Sequence, residues 1–184
     1  MSAVADAAPR TVQVWDPLLR IGHWSLVACV ALSWATGEGG KGWHEAFGYA
    51  AAAIVALRIL WGYTGSRFAR FADFVRAPAA TLAYGLRVLV GTEPRYLGHN
   101  PLGGWSIVAL LACIVLTSLS GWLYTTDEYW GVKWVGELHE ALADALLALI
   151  AVHLAGVALA SWRHRENLVA AILHGRKRAE EENA

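Results

Sequence analysis

The chain has 184 residues, 57% of them apolar and 16% charged, with 15 basic and 15 acidic side chains and no net charge. That balance leaves no basic surplus to hold a nucleic acid. The apolar share does not by itself separate a membrane protein from a soluble one, but its distribution along the chain does.

Residues 1–14 read as a polar N-terminal tail. The apolar stretch that follows is too long for a secretory signal, and no small-residue cleavage pattern comes after it. Four stretches reach the roughly 20 helical residues needed to cross about 30 Å of hydrocarbon. They are Trp15–Thr36, Trp43–Tyr63, Leu102–Tyr124 and Gly136–Trp162. Nine of the ten tryptophans (15, 34, 43, 61, 105, 122, 130, 134 and 162) stand at or near the ends of these stretches, where indole favours the headgroup region. The sequence therefore predicts an all-α integral membrane protein, a four-transmembrane-helix bundle over residues 15–162.

Between the second and third spans, residues 64–101 are too long to be a structureless loop. Phe68, Phe71, Phe74 and Val75 alternate with arginines, and Thr81–Val90 mixes apolar residues with Arg87, which predicts one or two short helices on the membrane surface. The segment closes on Asn100-Pro101, a helix cap followed by a first-turn proline. Residues 163–184 form a tail, basic and then acidic.

Arg67, Arg70, Arg76, Arg87 and Arg95 lie in the middle loop, and Arg163, Arg165, Arg176, Lys177 and Arg178 in the C-terminal tail. The two short links carry only Lys41 and Lys133. The positive-inside rule then places both termini and the middle loop in the cytoplasm. Glu38, Glu45, Asp127, Glu128, Glu137 and Glu140 make the opposite face acidic.

An ionisable residue within a span is costly and marks a functional site by default. Four of the seven histidines, His23, His44, His139 and His153, fall within spans. His139 and His153 are fourteen residues apart on one helix. At 100° per residue they share a face, and at 1.5 Å per residue they stand about 21 Å apart along the axis. His23 and His153 both lie roughly 12–14 Å from the inner ends of their spans, whereas His44 and His139 each lie near the outer start of a helix. Depth therefore pairs His23 with His153 and His44 with His139, leaving room for two stacked haems, one near each side. Neither Cys29 nor Cys113 belongs to a CxxCH or CxxC motif, so ligation and packing alone would hold such haems. Two imidazoles per iron leave no open position, which suits electron transfer. No Glu-x-x-His arrangement on two helices suggests a di-metal carboxylate site.

Arg58, fourteen residues after His44, reaches the inner level on the same helical face, and Arg20 precedes His23 by one turn. Both are candidates to pair with propionates of an inner haem; Arg20 can equally snorkel to lipid headgroups. Gly48 and Gly156, each one turn from a candidate ligand, would admit a porphyrin edge or a neighbouring helix. His99, beside the third span, is a surface histidine or a contact for a propionate or a quinone.

Several motifs carry a resemblance: Arg20-Ile21-Gly22-His23-Trp24, Trp43-His44-Glu45-Ala46-Phe47-Gly48, Leu57-Arg58-Ile59-Leu60-Trp61-Gly62, the run from Tyr96 to Gly104, and His139-Glu140 with His153. Over about Val14 to Gly175 the chain resembles the bacterial cytochrome b561 family, which includes the b-type cytochrome subunit of nickel–iron hydrogenases. The resemblance implies a four-helix protein of the bacterial inner membrane with two haem b groups on His23, His44, His139 and His153, exchanging electrons with quinone. Its partner would be a hydrogenase or a basic periplasmic c-type cytochrome. The chain lacks the longer loops of hydrogenase-bound members and is similar to smaller, stand-alone quinone-linked cytochromes, some of which oxidise superoxide and reduce ubiquinone. A haem-binding anchor or sensor without turnover, and a four-helix module without haem, are the alternatives from other functional classes.

Overall fold

The computed structural model describes residues 10–39 and 41–179. Most of the predicted N-terminal tail (1–9), the last residues of the C-terminal tail (180–184), Gly40 and the Lys41 side chain lie outside the described residues. Four helices are long and apolar enough to cross a membrane: α1 (Pro17–Ala35), α2 (Lys41–Thr64), α5 (Pro101–Tyr124) and α6 (Lys133–Arg163). They match the four predicted spans to within a few residues at every end, and the chain is a multi-pass membrane protein.

Caps set where these helices begin. Asn100 accepts from the Gly103 amide at 2.7 Å ahead of Pro101, as the sequence predicts. Asp16 caps α1 by accepting from the Leu19 amide at 2.9 Å, with Pro17 at the first helical position. The same carboxylate accepts from Trp61 Nε1 at 3.2 Å and from the Ser66 hydroxyl, tying the start of α1 to the end of α2. Burial opposes its charge, but the hydrogen bonds from Ser66, Leu19 and Trp61 prevail and hold it below the usual carboxylate range.

The bundle packs α1 on α2, α2 on α5, and α5 on α6. Among the described residues, α1 and α6 do not pack extensively on one another. The core lies at mid-depth, where Ala51 and Val55 of α2 meet Leu111, Cys113 and Ile114 of α5 and Leu146 of α6, with Leu26, Cys29 and Val30 of α1 against them. Ala51 falls seven residues after His44 and seven before Arg58; Leu146 falls seven after His139 and seven before His153. Seven residues are about two turns, so an apolar layer separates the level of His44 and His139 from that of Arg58 and His153 on both helices. Outside this core the helices leave Ile21, Leu57, Leu60, Val152 and Leu154 largely uncovered, as helices do when the surrounding solvent is lipid.

The predicted surface helices are α3 (Phe71–Phe74) and α4 (Pro78–Val90). α4 buries Tyr84 and exposes Leu82, Leu86, Leu89 and Val90, and it ends on Gly91 in the left-handed conformation. At Gly104 a Cβ would stand 2.7 Å from the Phe74 carbonyl oxygen, so only glycine lets this part of the middle segment rest on α5.

Two features go beyond the sequence reading. Residues 168–174 form a further helix, α7 (Leu168–His174), capped by Asn167. Strands β1 (Thr11–Gln13) and β2 (Arg176–Arg178) pair antiparallel, with Val12 opposite Lys177, and join the two ends of the chain. Glu166 anchors this ribbon. It binds Arg95 at 2.8 Å and Lys177 at 3.3 Å, and accepts from the Arg178 amide at 3.1 Å. Burial raises the Glu166 carboxyl, but Arg95, Lys177 and the Arg178 amide bring it below its ordinary range.

Candidate functional site

The outer pair is defined by geometry on both sides of each ring. His44 in the first turns of α2 and His139 in the second turn of α6 face one another with ring centroids 5.9 Å apart and planes at 84°. An imidazole nitrogen sits about 2 Å from a bound metal, so two rings flanking one ion have centroids roughly 6 Å apart. His44 Nδ1 lies 2.8 Å from the Ser33 carbonyl oxygen, and His139 Nδ1 lies 3.0 Å from that of Thr117. A carbonyl only accepts, so each Nδ1 carries the proton and each Nε2 keeps its lone pair. Metal-bound histidines are oriented in this way.

Sequence reading missed the groups that aim these rings. Ser33 lies in the last turn of α1, where its carbonyl also accepts from the Thr36 amide at 3.3 Å and the Thr36 hydroxyl at 3.2 Å. Its hydroxyl donates to the His44 carbonyl at 3.2 Å and lies 3.3 Å from His44 Nδ1. Ser120 is 3% exposed, donates to the Thr117 carbonyl at 2.9 Å and lies 3.1 Å from His139 Nδ1. A Cβ at Gly121 would lie 2.9 Å from His139 Cε1, so this glycine makes room for the ring. The available signal was a pair of serines within spans; a main-chain acceptor leaves no trace in residue identity.

At the inner level, α1 supplies Arg20 and His23, α2 supplies Arg58, α6 supplies His153, and His99 stands just before α5. Among the described residues, buried polar atoms without a protein partner concentrate here: Arg20 Nε, His23 Nδ1, Arg58 Nη1 and His99 Nδ1. Unsatisfied buried donors of this kind are rare and ask for a missing partner. His99 is not a free surface histidine. Its ring packs between Trp15 (centroids 4.6 Å) and Phe74 (4.8 Å). Burial, and then the charges of Arg58, Lys177, His153 and His23, push its imidazole down to about 3, so it is neutral at physiological pH. Arg58 also lies over the Phe71 ring at 5.2 Å.

The glycines beside the histidines leave open space. A Cβ at Gly156, or at Gly22 next to His23, would meet no atom within 4 Å, and at Gly48 only Ser33 Oγ at 3.9 Å. No three His, Cys, Asp or Glu side chains converge on a common point among the described residues. Imidazole pairs, open glycines and unpaired cationic donors instead match a metal whose remaining ligands and carboxylates come from a porphyrin.

Glu38, Glu45, Asp127, Glu128, Glu137 and Glu140 are all exposed. Lys133 is paired with Glu137 at 3.1 Å. Trp122 and Tyr124, in the last turn of α5, are 51% and 39% exposed.

No curated protein and no solved structure matches the chain. The family model described as prokaryotic cytochrome b561 matches residues 14–175, nearly the whole of it. A match of that extent makes the protein a haem-b-binding cytochrome of membrane electron transfer. The chain belongs to the prokaryotic cytochrome b561 family.

Proposed function

We propose that the protein is a di-haem cytochrome that carries electrons across the bacterial inner membrane between a periplasmic redox partner and the quinone pool. The observation that carries this reading is the outer pair, two imidazoles 5.9 Å apart with both Nδ1 atoms committed to main-chain carbonyls. His44 and His139 ligate the outer iron, and His23 and His153 the inner one. Arg20 and Arg58 neutralise inner carboxylates, and Gly48 and Gly156 leave room for the macrocycle. Haem supplies reversible one-electron chemistry, and ligation by two imidazoles closes iron to other ligands. The basic middle loop and C-terminal segment support a topology with both termini cytoplasmic. Purified protein is expected to contain two haems per chain, low-spin in both redox states. One haem or none, after expression with ample haem, overturns the proposal.

The exposed carboxylates around the outer pair support a basic c-type cytochrome as partner, and the pairing of Lys133 with Glu137 weakens the case for attraction of an anion such as superoxide. Electron exchange with a basic c-type cytochrome is expected to exceed that with an acidic one. The difference should be greatest at low salt, because the screening length grows from about 8 Å at physiological ionic strength to roughly 30 Å at 0.01 M. Rates indifferent to salt and to acceptor charge would exclude a docking role for this face.

A further inference from the structure

The inner histidine pair is bordered by buried nitrogens without a hydrogen-bond partner among the described residues. His99 Nδ1 is enclosed, without a partner, in a ring clamped between Trp15 and Phe74. Arg20 Nε and Arg58 Nη1 are enclosed in the same way. Arg58 and His99 belong to one aromatic cluster: the guanidinium lies over Phe71 at 5.2 Å, Phe71 packs on Phe74 with centroids 5.6 Å apart, and Phe74 packs on His99. Asp16, the carboxylate on this side of α1, is already engaged by Leu19, Trp61 and Ser66. The corner therefore holds two guanidinium groups and a neutral imidazole, and its nearby carboxylate, Asp16, whose charge reaches Arg58, has its oxygens committed to neutral donors.

The ends of the chain close this corner. The Val14 and Trp15 amides both donate to the Gly175 carbonyl, at 2.9 and 3.0 Å. Gly175 has φ +86°, and a Cβ there would stand 2.7 Å from the Trp15 carbonyl oxygen and 2.9 Å from Arg20 Nη1. Only glycine allows the turn to seat so low over Arg20. Beyond it, Lys177 is 5% exposed and donates to the Tyr96 carbonyl at 3.0 Å, three residues before His99.

We propose that His99 donates from Nδ1 to a carboxylate of the inner haem, completing with Arg20 and Arg58 an anion pocket that the paired chain ends roof. The inference rests on the proposed inner haem between His23 and His153. With those two imidazoles holding the iron, the porphyrin carboxylates would be the anionic groups left for a third enclosed imidazole. A hydrogen bond to a carboxylate is stronger than one between neutral groups. Removing it leaves more negative charge beside the iron and favours the ferric state.

The test is a redox titration of holoprotein carrying His99→Leu or His99→Gln, with the outer haem as internal reference. His99→Leu is expected to keep two low-spin haems and to shift the inner equilibrium roughly tenfold toward the oxidised form, about 59 mV for one electron. His99→Gln, which retains an N–H donor, is expected to recover at least half of that shift, and the outer haem is expected not to move. An unmoved inner potential in His99→Leu, or a glutamine variant as low as the leucine one, overturns the proposal. So does loss of the inner low-spin spectrum in both variants, which would make His99 an axial ligand. Where only the leucine variant loses the haem, infrared difference spectra of His99→Gln decide: a displaced redox-linked carboxylate band supports the hydrogen bond, and an unchanged band rules it out. Fewer than two haems in the unmodified protein overturns the di-haem reading itself, before any His99 variant is made.

Discussion

His44→Ala and His139→Ala are each expected to remove the same haem, halving the haem content per chain, while His23→Ala and His153→Ala each remove the other. The reason is that a b haem has no covalent tether, so losing one of two axial bonds leaves ligation one-sided. The partner imidazole is then an unpaired polar group in a low-dielectric interior, which is itself costly. Residues acting as a unit are non-additive, so the double variant His44→Ala/His139→Ala should lose no more haem than either single one. The measurement is a reduced-minus-oxidised spectrum at low temperature together with haem quantification. If His23→Ala and His44→Ala abolish the same spectral component, the pairing is wrong.

Gly121→Val is expected to displace the outer haem nearly as effectively as removing a ligand, although Gly121 carries no ligating atom. Its Cβ would stand 2.9 Å from Cε1 and 3.2 Å from Nδ1 of His139. That ring has little freedom to retreat, because Thr117 and Ser120 hold its Nδ1 edge. Overpacking of this kind costs about 1–3 kcal/mol, roughly 5- to 150-fold in affinity for the haem. Gly42→Ala, at an exposed position where a Cβ would meet no atom within 4 Å, is the matched control and should bind both haems normally. A Gly121→Val protein with two haems and an unaltered outer spectrum would show that His139 is not held in this orientation.

The parts of this architecture that were legible in the sequence are those expressed as residue identity at helical spacing. Long apolar runs marked the four spans, Asn100-Pro101 marked the start of α5, and the fourteen-residue interval from His139 to His153 placed two imidazoles on one face. Arg58 followed from the same interval measured from His44. The groups that orient the imidazoles were not legible, because the acceptors are main-chain carbonyls of Ser33 and Thr117 and any residue supplies a carbonyl. Nor was the role of Gly121 legible, because a glycine in a span does not name the ring that packs against it. The ribbon of β1 and β2 escaped notice because three residues are too few to show a period. Lys177, which reads as a solvated charge in a basic tail, is buried because Glu166 meets it there.

The apolar layer between the two histidine levels has an electrical consequence. Val55, 0% exposed, with Leu111 and Leu146 at 7% each, fills the core between the two levels with apolar side chains. In the proposed function, an electron passing between the two levels crosses about 21 Å of a roughly 30 Å hydrocarbon slab. A full crossing is worth about 2.3 kcal/mol per 100 mV, so about 0.7 of one is worth roughly 1.6 kcal/mol per 100 mV. An electron travelling toward the basic side does that work against an inside-negative potential, and one travelling outward is driven by it. The rate of exchange between the two haems thus becomes a function of the voltage across the membrane, set by side chains that touch neither iron.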